Sequence, residues 1–494
     1  MAYISWVILA CLLSCKNRPL SGGSIVEKPN ILFIAVDDLR PELHCYGKSY
    51  MVTPHIDKLA SNGCLFLNHY VTVPTCGPSR FSLLTGKFPQ SRAALSNNIF
   101  EKNSALSQPL YEPESLMAFF KQTGYRTIGI GKISHSPDGK VYGYTEKVSD
   151  KMELPQSWSR FLFNAGKWGT GWNAFFGYAS GENRQSLHKK APPFESASVD
   201  DNGYPDGLTA ELAVSELQQL KKTNEPFFMA VGFFKPHLPF TAPQKYWDFY
   251  DESKIETAFN PDIPQDIHKA SLHNSAEFNQ YQLTKEKVSL AQPLSKKYTL
   301  QLKHAYFAAV SYTDAQIGKV LDALHKIGLD KNTIVVLWGD HGWHLGEERV
   351  WGKHTLSEYA LKSPLIISYP QVIKAGSRAS QIVQSVDIYP TLLELTGLHP
   401  PYTLDGTPFT EILKNPDISS DRVAYSYYNN GISMRTNRYR ITQYFRKEQP
   451  TVELYDYVTD PYETKNIARA KPTLTAQLLQ KLEKGNTGLY TTSH

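Results

Sequence analysis

Four apolar stretches of the chain run directly into residues that bind or transfer charge. Asn30–Val36 leads into Asp37-Asp38, Tyr125–Gly131 into Lys132 and then His135, Pro226–Phe234 into Lys235-Pro236-His237, and Asn332–Gly339 into Asp340-His341. One such ending is routine, because solvated strand ends carry charge. Four on one rim of a sheet make a site the better account, since open parallel sheets bind ligands beyond the carboxyl ends of their strands. Asp37, Asp38 and Asp340 supply three carboxylates. Packed together without a cation they repel, and some must take up protons. A hard dication resolves that conflict, and calcium accepts several carboxylate oxygens in flexible geometry. His341 is a less usual ligand for calcium, which leaves magnesium, manganese and zinc open on chemistry alone.

Lys132, His135, His237 and Lys353 add cationic or titratable groups, and Arg80 adds a fixed charge. Such a set suits a substrate bearing a tetrahedral oxyanion: it grips the anion, and one member can protonate a leaving oxygen. Cys76 sits in "TCGPSRFSLLTG", two residues before Pro78 and four before Arg80. Pro78 suits a first helical turn and Gly86 a helix stop. The amides at that helix mouth favour negative charge, so a lowered thiol pKa is expected there.

The elements that must hold these residues alternate along the chain. Buried strands are predicted at the four stretches above and at Ser363–Tyr369. Helices are predicted after Thr53, with Thr53 as cap and Gly63 as stop, and over about Lys297 to Ile327. This rhythm predicts an α/β fold with a large, mostly parallel sheet covered by helices. The segments Ser136–Asn224 and Pro239–Pro293 read as irregular loops over one rim. Trp158, Trp168, Trp172 and Phe176 within the first could face a sugar, although packing under the loops is the favoured reading of each. Antiparallel strands and a closing helix are expected in a small second domain, 417–494, after a catalytic domain of 30–416.

The chain has 494 residues and a net charge of +5, without a Lys/Arg block of the kind that binds nucleic acid. The apolar run Ile4–Leu13 is too short to span a bilayer and reads as an export leader, 1–15, with 16–29 as linker. Its end, Leu12-Leu13-Ser14-Cys15, resembles a bacterial lipobox, so lipidation of Cys15 and a periplasmic or outer-membrane location are expected. Cys45, Cys64 and Cys76 then remain. The first two are expected to be small buried hydrophobes rather than a disulfide.

Taken in order, "VDDLRPELHCYG", "CGPSRFSLLTG", "GKISH", "FFKPHLPF", "GDHGWHLGE" and "WGKHT" resemble the formylglycine-dependent sulfatase family, and its iduronate 2-sulfatase branch in particular. The resemblance implies an alkaline-phosphatase-like fold. It implies oxidation of Cys76 to formylglycine by a maturation enzyme, and one calcium ion held by Asp37, Asp38, Asp340, His341 and the modified Cys76. It implies that Arg80 holds formylglycine, that Lys132, His237 and Lys353 contact sulfate, and that Lys132 and His135 form the family's Gly-Lys-x-x-His pair. A hydrated aldehyde would attack sulfur with one hydroxyl while His237 or Lys353 assists the leaving alcohol. The second hydroxyl, deprotonated by His135, would then expel sulfate. "LGEERVWGK" lacks a histidine and a glycine that iduronate-type sequences often carry, which bears on substrate choice. The function implied is hydrolysis of sulfate esters of sulfated carbohydrates. The alternatives are a phosphomonoester or phosphonate hydrolase of the same fold, and an inactive carbohydrate-binding relative.

Overall fold

The computed structural model describes residues 28–490 apart from 107, 224 and 283. The 1–15 leader with Cys15, and 16–27 of the linker, lie outside the described residues.

Asn30–Val36 is buried along its whole length and lies at the middle of an eight-stranded sheet. Phe227–Phe233 pairs with it on one side and Thr333–Gly339 on the other, both parallel. Arg126–Gly131 and then Arg160–Leu162 extend the first side, also parallel. On the second side Leu365–Ser368 is the reversed strand, followed by Cys64–Tyr70 and Ser377–Gln384. The central runs are almost continuously apolar because both faces are covered. Side chains alternate between those faces. Leu32, Ile34 and Val36 pack under the helices Pro54–Ser61, Pro205–Thr223 and Lys296–Lys326. Ile31, Phe33 and Ala35 pack under Cys76–Thr85, Leu116–Gln122 and Ile388–Leu395. Because the four central strands are parallel, their carboxyl ends share one rim.

A second, antiparallel sheet follows as a meander of Ala424–Tyr428, Gly431–Arg435, Tyr439–Tyr444 and Val452–Asp456. The helix Pro472–Leu482 covers it through Leu478 and Leu482, against Ile432, Met434, Ile441 and Leu454. No helix among the described residues is long and apolar enough to cross a membrane.

Two local expectations need correction. Ser136–Asn224 is not irregular throughout, because Pro205–Thr223 is a helix that buries Ala210, Ala213, Leu217 and Leu220. Pro205 and Gly207 read as loop residues, yet a proline in the first turn costs no hydrogen bond. Thr53 does not cap Pro54–Ser61 with its side chain. Asp314, from the long helix, accepts from the His55 and Ile56 amides instead, at 3.2 and 2.7 Å. Cys45 and Cys64 form no disulfide among the described residues, the second buried and the first half-buried.

Candidate active site

Each predicted residue arrives at the rim by a distinct local device. Asp38 turns off the first strand with φ +57°, a conformation that aspartate tolerates better than most residues. Its amide donates to Asp340 Oδ1 at 3.0 Å, which ties the ends of two neighbouring strands together. Gly131 has φ +73°, and a Cβ there would lie 2.3 Å from the Gly232 carbonyl oxygen. Only glycine lets that strand turn so close to its neighbour and send Lys132 inward. Cys76 is the first residue of the Cys76–Thr85 helix, which ends at left-handed Gly86.

The structure brings ligand atoms of Asp37, Cys76, Asp340 and His341 within 4.8 Å of one another, and does the same for Asp38, Cys76 and His237. Lys132 Nζ lies 2.5 Å from Asp37 Oδ2. Arg80 donates through Nε to Asp340 Oδ2 at 2.9 Å and through Nη1 to the Lys132 carbonyl. Lys353 Nζ donates to Asp38 Oδ1 at 2.8 Å. Cys76 Sγ lies 3.2 Å from His341 Nε2. The His135 ring lies 5.4 Å from that of Trp172, and its Nδ1 is buried without a hydrogen-bond partner among the described residues. Trp158, Trp168, Trp172 and Phe176 are all buried. Trp168, Trp172 and Phe176 pack in one cluster with Phe175, which carries Lys132 Nζ 4.1 Å over its ring, whereas Trp158 packs elsewhere, against Phe161.

One residue without any motif to mark it joins the site. Glu277 Oε1 lies 3.0 Å from His237 Nε2 and 3.2 Å from Lys353 Nζ. It comes from the long loop after Pro239, where no motif or spacing marks it. Burial works against its charge, but Lys353 and His237 hold its carboxyl well below the usual range.

The electrostatics overturn one expectation. The Cys76 thiol is pushed well up, by burial first and by Asp37 next, with Lys353 and Lys132 only partly offsetting this. The helix mouth is outweighed because the carboxylates share its pocket. His135 is pushed well down by burial and by Lys132, so it stands neutral at pH 7.

The donor set fits an oxygen-preferring dication. Burial above all pushes both Asp38 and Asp340 up to about 7. Asp37 Oδ1 and Arg80 Nη2 are buried without hydrogen-bond partners among the described residues. His341 Nδ1 lies 2.9 Å from the Gly342 carbonyl oxygen and must donate to it, so Nε2 presents a lone pair 3.4 Å from Asp38 Oδ1. Two acceptors facing each other in a dry site require a cation or a proton between them.

A family model described as Sulfatase matches residues 29–398. The chain belongs to the sulfatase family. A second model, N-sulphoglucosamine sulphohydrolase C-terminal, matches residues 346–487. This sulfatase is 32% identical over 470 residues to a sulfatase of Formosa agariphila, covering 93% of this chain and 87% of that one. It is 30% identical over 429 residues to the iduronate 2-sulfatase of Mus musculus, covering 80% and 73%. Its fold is alkaline-phosphatase-like. A solved structure in complex with its substrate D-glucosamine-2-N,6-O-disulfate superposes with a TM-score of 0.69 at 23% identity, covering 93% of this chain and 97% of that one. The phosphonate monoester hydrolase of Agrobacterium radiobacter superposes with a TM-score of 0.68 at 20% identity, covering 93% and 96%. The sulfatase is therefore a sulfuric ester hydrolase by family, and likeness of fold alone does not separate sulfate from phosphonate chemistry.

Proposed function

We propose that this sulfatase hydrolyses sulfate monoesters of sulfated carbohydrates, with Cys76 oxidised to formylglycine by a maturation enzyme and one calcium ion beside it. The observation that carries the reading is the convergence of an acceptor-rich ligand set on Cys76 at the start of a helix. Hydrated formylglycine would supply two hydroxyls on one carbon, one to attack sulfur and one to release sulfate, while calcium would supply a Lewis acid toward the sulfate oxygens.

Asp37, Asp38, Asp340 and His341 hold the cation, and Arg80 fixes the position of residue 76. Lys132, Lys353 and His237 grip the sulfate oxygens. His237, beside Glu277, or Lys353, held between Asp38 and Glu277, serves the leaving alcohol. His135, neutral and with an unpaired nitrogen, accepts the proton lost from residue 76. Support for a carbohydrate substrate comes from relatives named for sugar sulfates, including an ulvan-active sulfatase of Formosa agariphila that is 29% identical over 500 residues. The phosphonate-hydrolase reading is favoured only by likeness of fold. An inactive carbohydrate-binding relative would be expected to have lost part of the set, and all of it is present. Export as a lipoprotein anchored through Cys15 belongs to the same proposal, and the mass of the mature N-terminal peptide tests it.

Two measurements test the reading. The mass of the tryptic peptide containing Cys76 reports its oxidation. Assays on matched sulfate and phosphate monoesters should favour sulfate by orders of magnitude, and a clear preference for phosphate would overturn the assignment. Cys76→Ala should abolish turnover without changing Tm.

A further inference from the structure

A cleft of about 860 Å³ opens beside the catalytic groups, between the Tyr144 and Arg184 loops and the segment around Tyr281. Its wall is continuous with the site. Tyr144 packs 4.6 Å from Trp172, whose ring is 5.4 Å from His135, and Phe176 lies 6.2 Å from the His237 ring. Arg184 lies over this wall, its guanidinium 3.6 Å from the Phe176 centroid and 5.4 Å from that of Tyr144. It has no carboxylate partner among the described residues. The Gln185 amide lines the same cleft, buried at both ends and without hydrogen-bond partners among the described residues, while the Tyr281 hydroxyl there has Arg184 as its polar neighbour. Buried polar groups are normally paired, so an unsatisfied amide in the wall of a cleft calls for a polar occupant.

The occupant's charge follows from what the lining acids already do. Glu286 is taken up by the Ser295 amide and hydroxyl at 2.6 and 2.8 Å, and Glu146 by the Gly143 amide at 2.9 Å. Arg184 and Lys287 are left to face the opening. A guanidinium held flat on a ring has lost water from one face and keeps its planar edge for bidentate contact with an oxyanion. The half-exposed Tyr144 ring offers a flat apolar face of the kind a sugar ring covers.

We propose that this cleft is the subsite for an anionic sugar residue, with Arg184 taking that residue's carboxylate or second sulfate. The proposal rests on the carbohydrate reading above and narrows its substrates to glycans charged at a second position.

The test compares kcat/KM on three kinds of sulfated disaccharide in wild type, Arg184→Met and Arg184→Lys. The first carries a uronic acid, the second is its carboxyl-reduced counterpart, and the third is a neutral disaccharide with a second sulfate, set against its monosulfated form. Wild type should prefer the charged member of a pair by about tenfold to a hundredfold, mostly through KM. Arg184→Met should collapse that ratio toward one, and Arg184→Lys should restore part of it. Collapse within the uronate pair identifies a carboxylate as the ligand, and collapse within the sulfate pair identifies a second sulfate. A preference that is absent in wild type, or that survives Arg184→Met, overturns the subsite alone. Turnover of aryl sulfate with no sulfated saccharide accepted overturns the carbohydrate reading and the subsite together. A Tm for Arg184→Met within about two degrees of wild type shows that the variant is folded, so that its ratios can be compared.

Discussion

The Glu277 carboxylate is the one group at the centre that the sequence left unmarked, and it governs two others. It raises the pKa of His237, yet burial first and Lys353 next still leave that imidazole lowered to about 4. Removing its charge lets burial and Lys353 act with less opposition. In Glu277→Gln the limb of the kcat profile that reports His237 should therefore move toward acid by about one unit. Glu277→Asp should move it less. A loss equal at every pH would show that Glu277 merely props the loop.

The ligand carboxylates carry a prediction of their own. In the ion-free protein Asp38 and Asp340 stand near 7, above the 3.8 of an exposed aspartate. A folded pKa raised in this way gives stability that is complete below about pH 4 and is lost as pH rises through 7. Chelated protein should thus lose Tm between about pH 4 and 7 and level off above that, while calcium-loaded protein holds it, so that the calcium-induced shift grows with pH up to about 7. A shift independent of pH would contradict the ligand assignment.

At the level of elements, the central strands were legible because a run such as Asn30–Val36 is apolar without interruption. Cys64–Tyr70 and Ser377–Gln384 were not, since Asn68 and His69 interrupt one, while Ser377, Arg378 and Gln381 interrupt the other. Ser377–Gln384 lies at an edge of the sheet, where Arg378 and Ser380 face solvent. The reversed direction of Leu365–Ser368 is set by its partners and leaves no local mark. The catalytic residues were legible from where they fall at strand ends. Their pKa values were not, because Cys76 is raised by burial first and by Asp37 next, and both arise only through the fold. Gly131 shows how tightly an element can control the site. A Cβ at its φ of +73° meets backbone that has no room to give. Gly131→Ala should cost about 2 kcal/mol or more and lower kcat by misplacing Lys132. Gly328, with φ +71° and nothing within 4 Å, serves as the control. Gly328→Ala should cost about 1 kcal/mol, with kcat unchanged. Equal effects of the two substitutions, read by denaturant unfolding and turnover, would refute the packing argument.

Across the whole molecule, the small antiparallel sheet is part of the site's frame. Arg440 on that sheet pairs with the fully buried Glu463 through Nε at 2.5 Å and Nη2 at 2.6 Å. Its Nη1 donates to the Leu356 carbonyl, three residues beyond Lys353. Glu463 in turn accepts from the Ser357 hydroxyl and the Glu358 amide, both at 3.2 Å. The loop that delivers Lys353 is thus anchored from the second sheet. Arg440→Met leaves the buried Glu463 charge without its cation, which should cost about 3–5 kcal/mol. It should also reduce kcat in the molecules that remain folded. Unfolding curves that match wild type would show the anchor to be dispensable.

The central claim is that three strand-end carboxylates and His341 share a single hard cation next to residue 76. Metal analysis of the purified, dialysed protein tests it most directly. The account predicts one calcium per chain. Two metal ions per chain, or zinc in calcium's place, would contradict it.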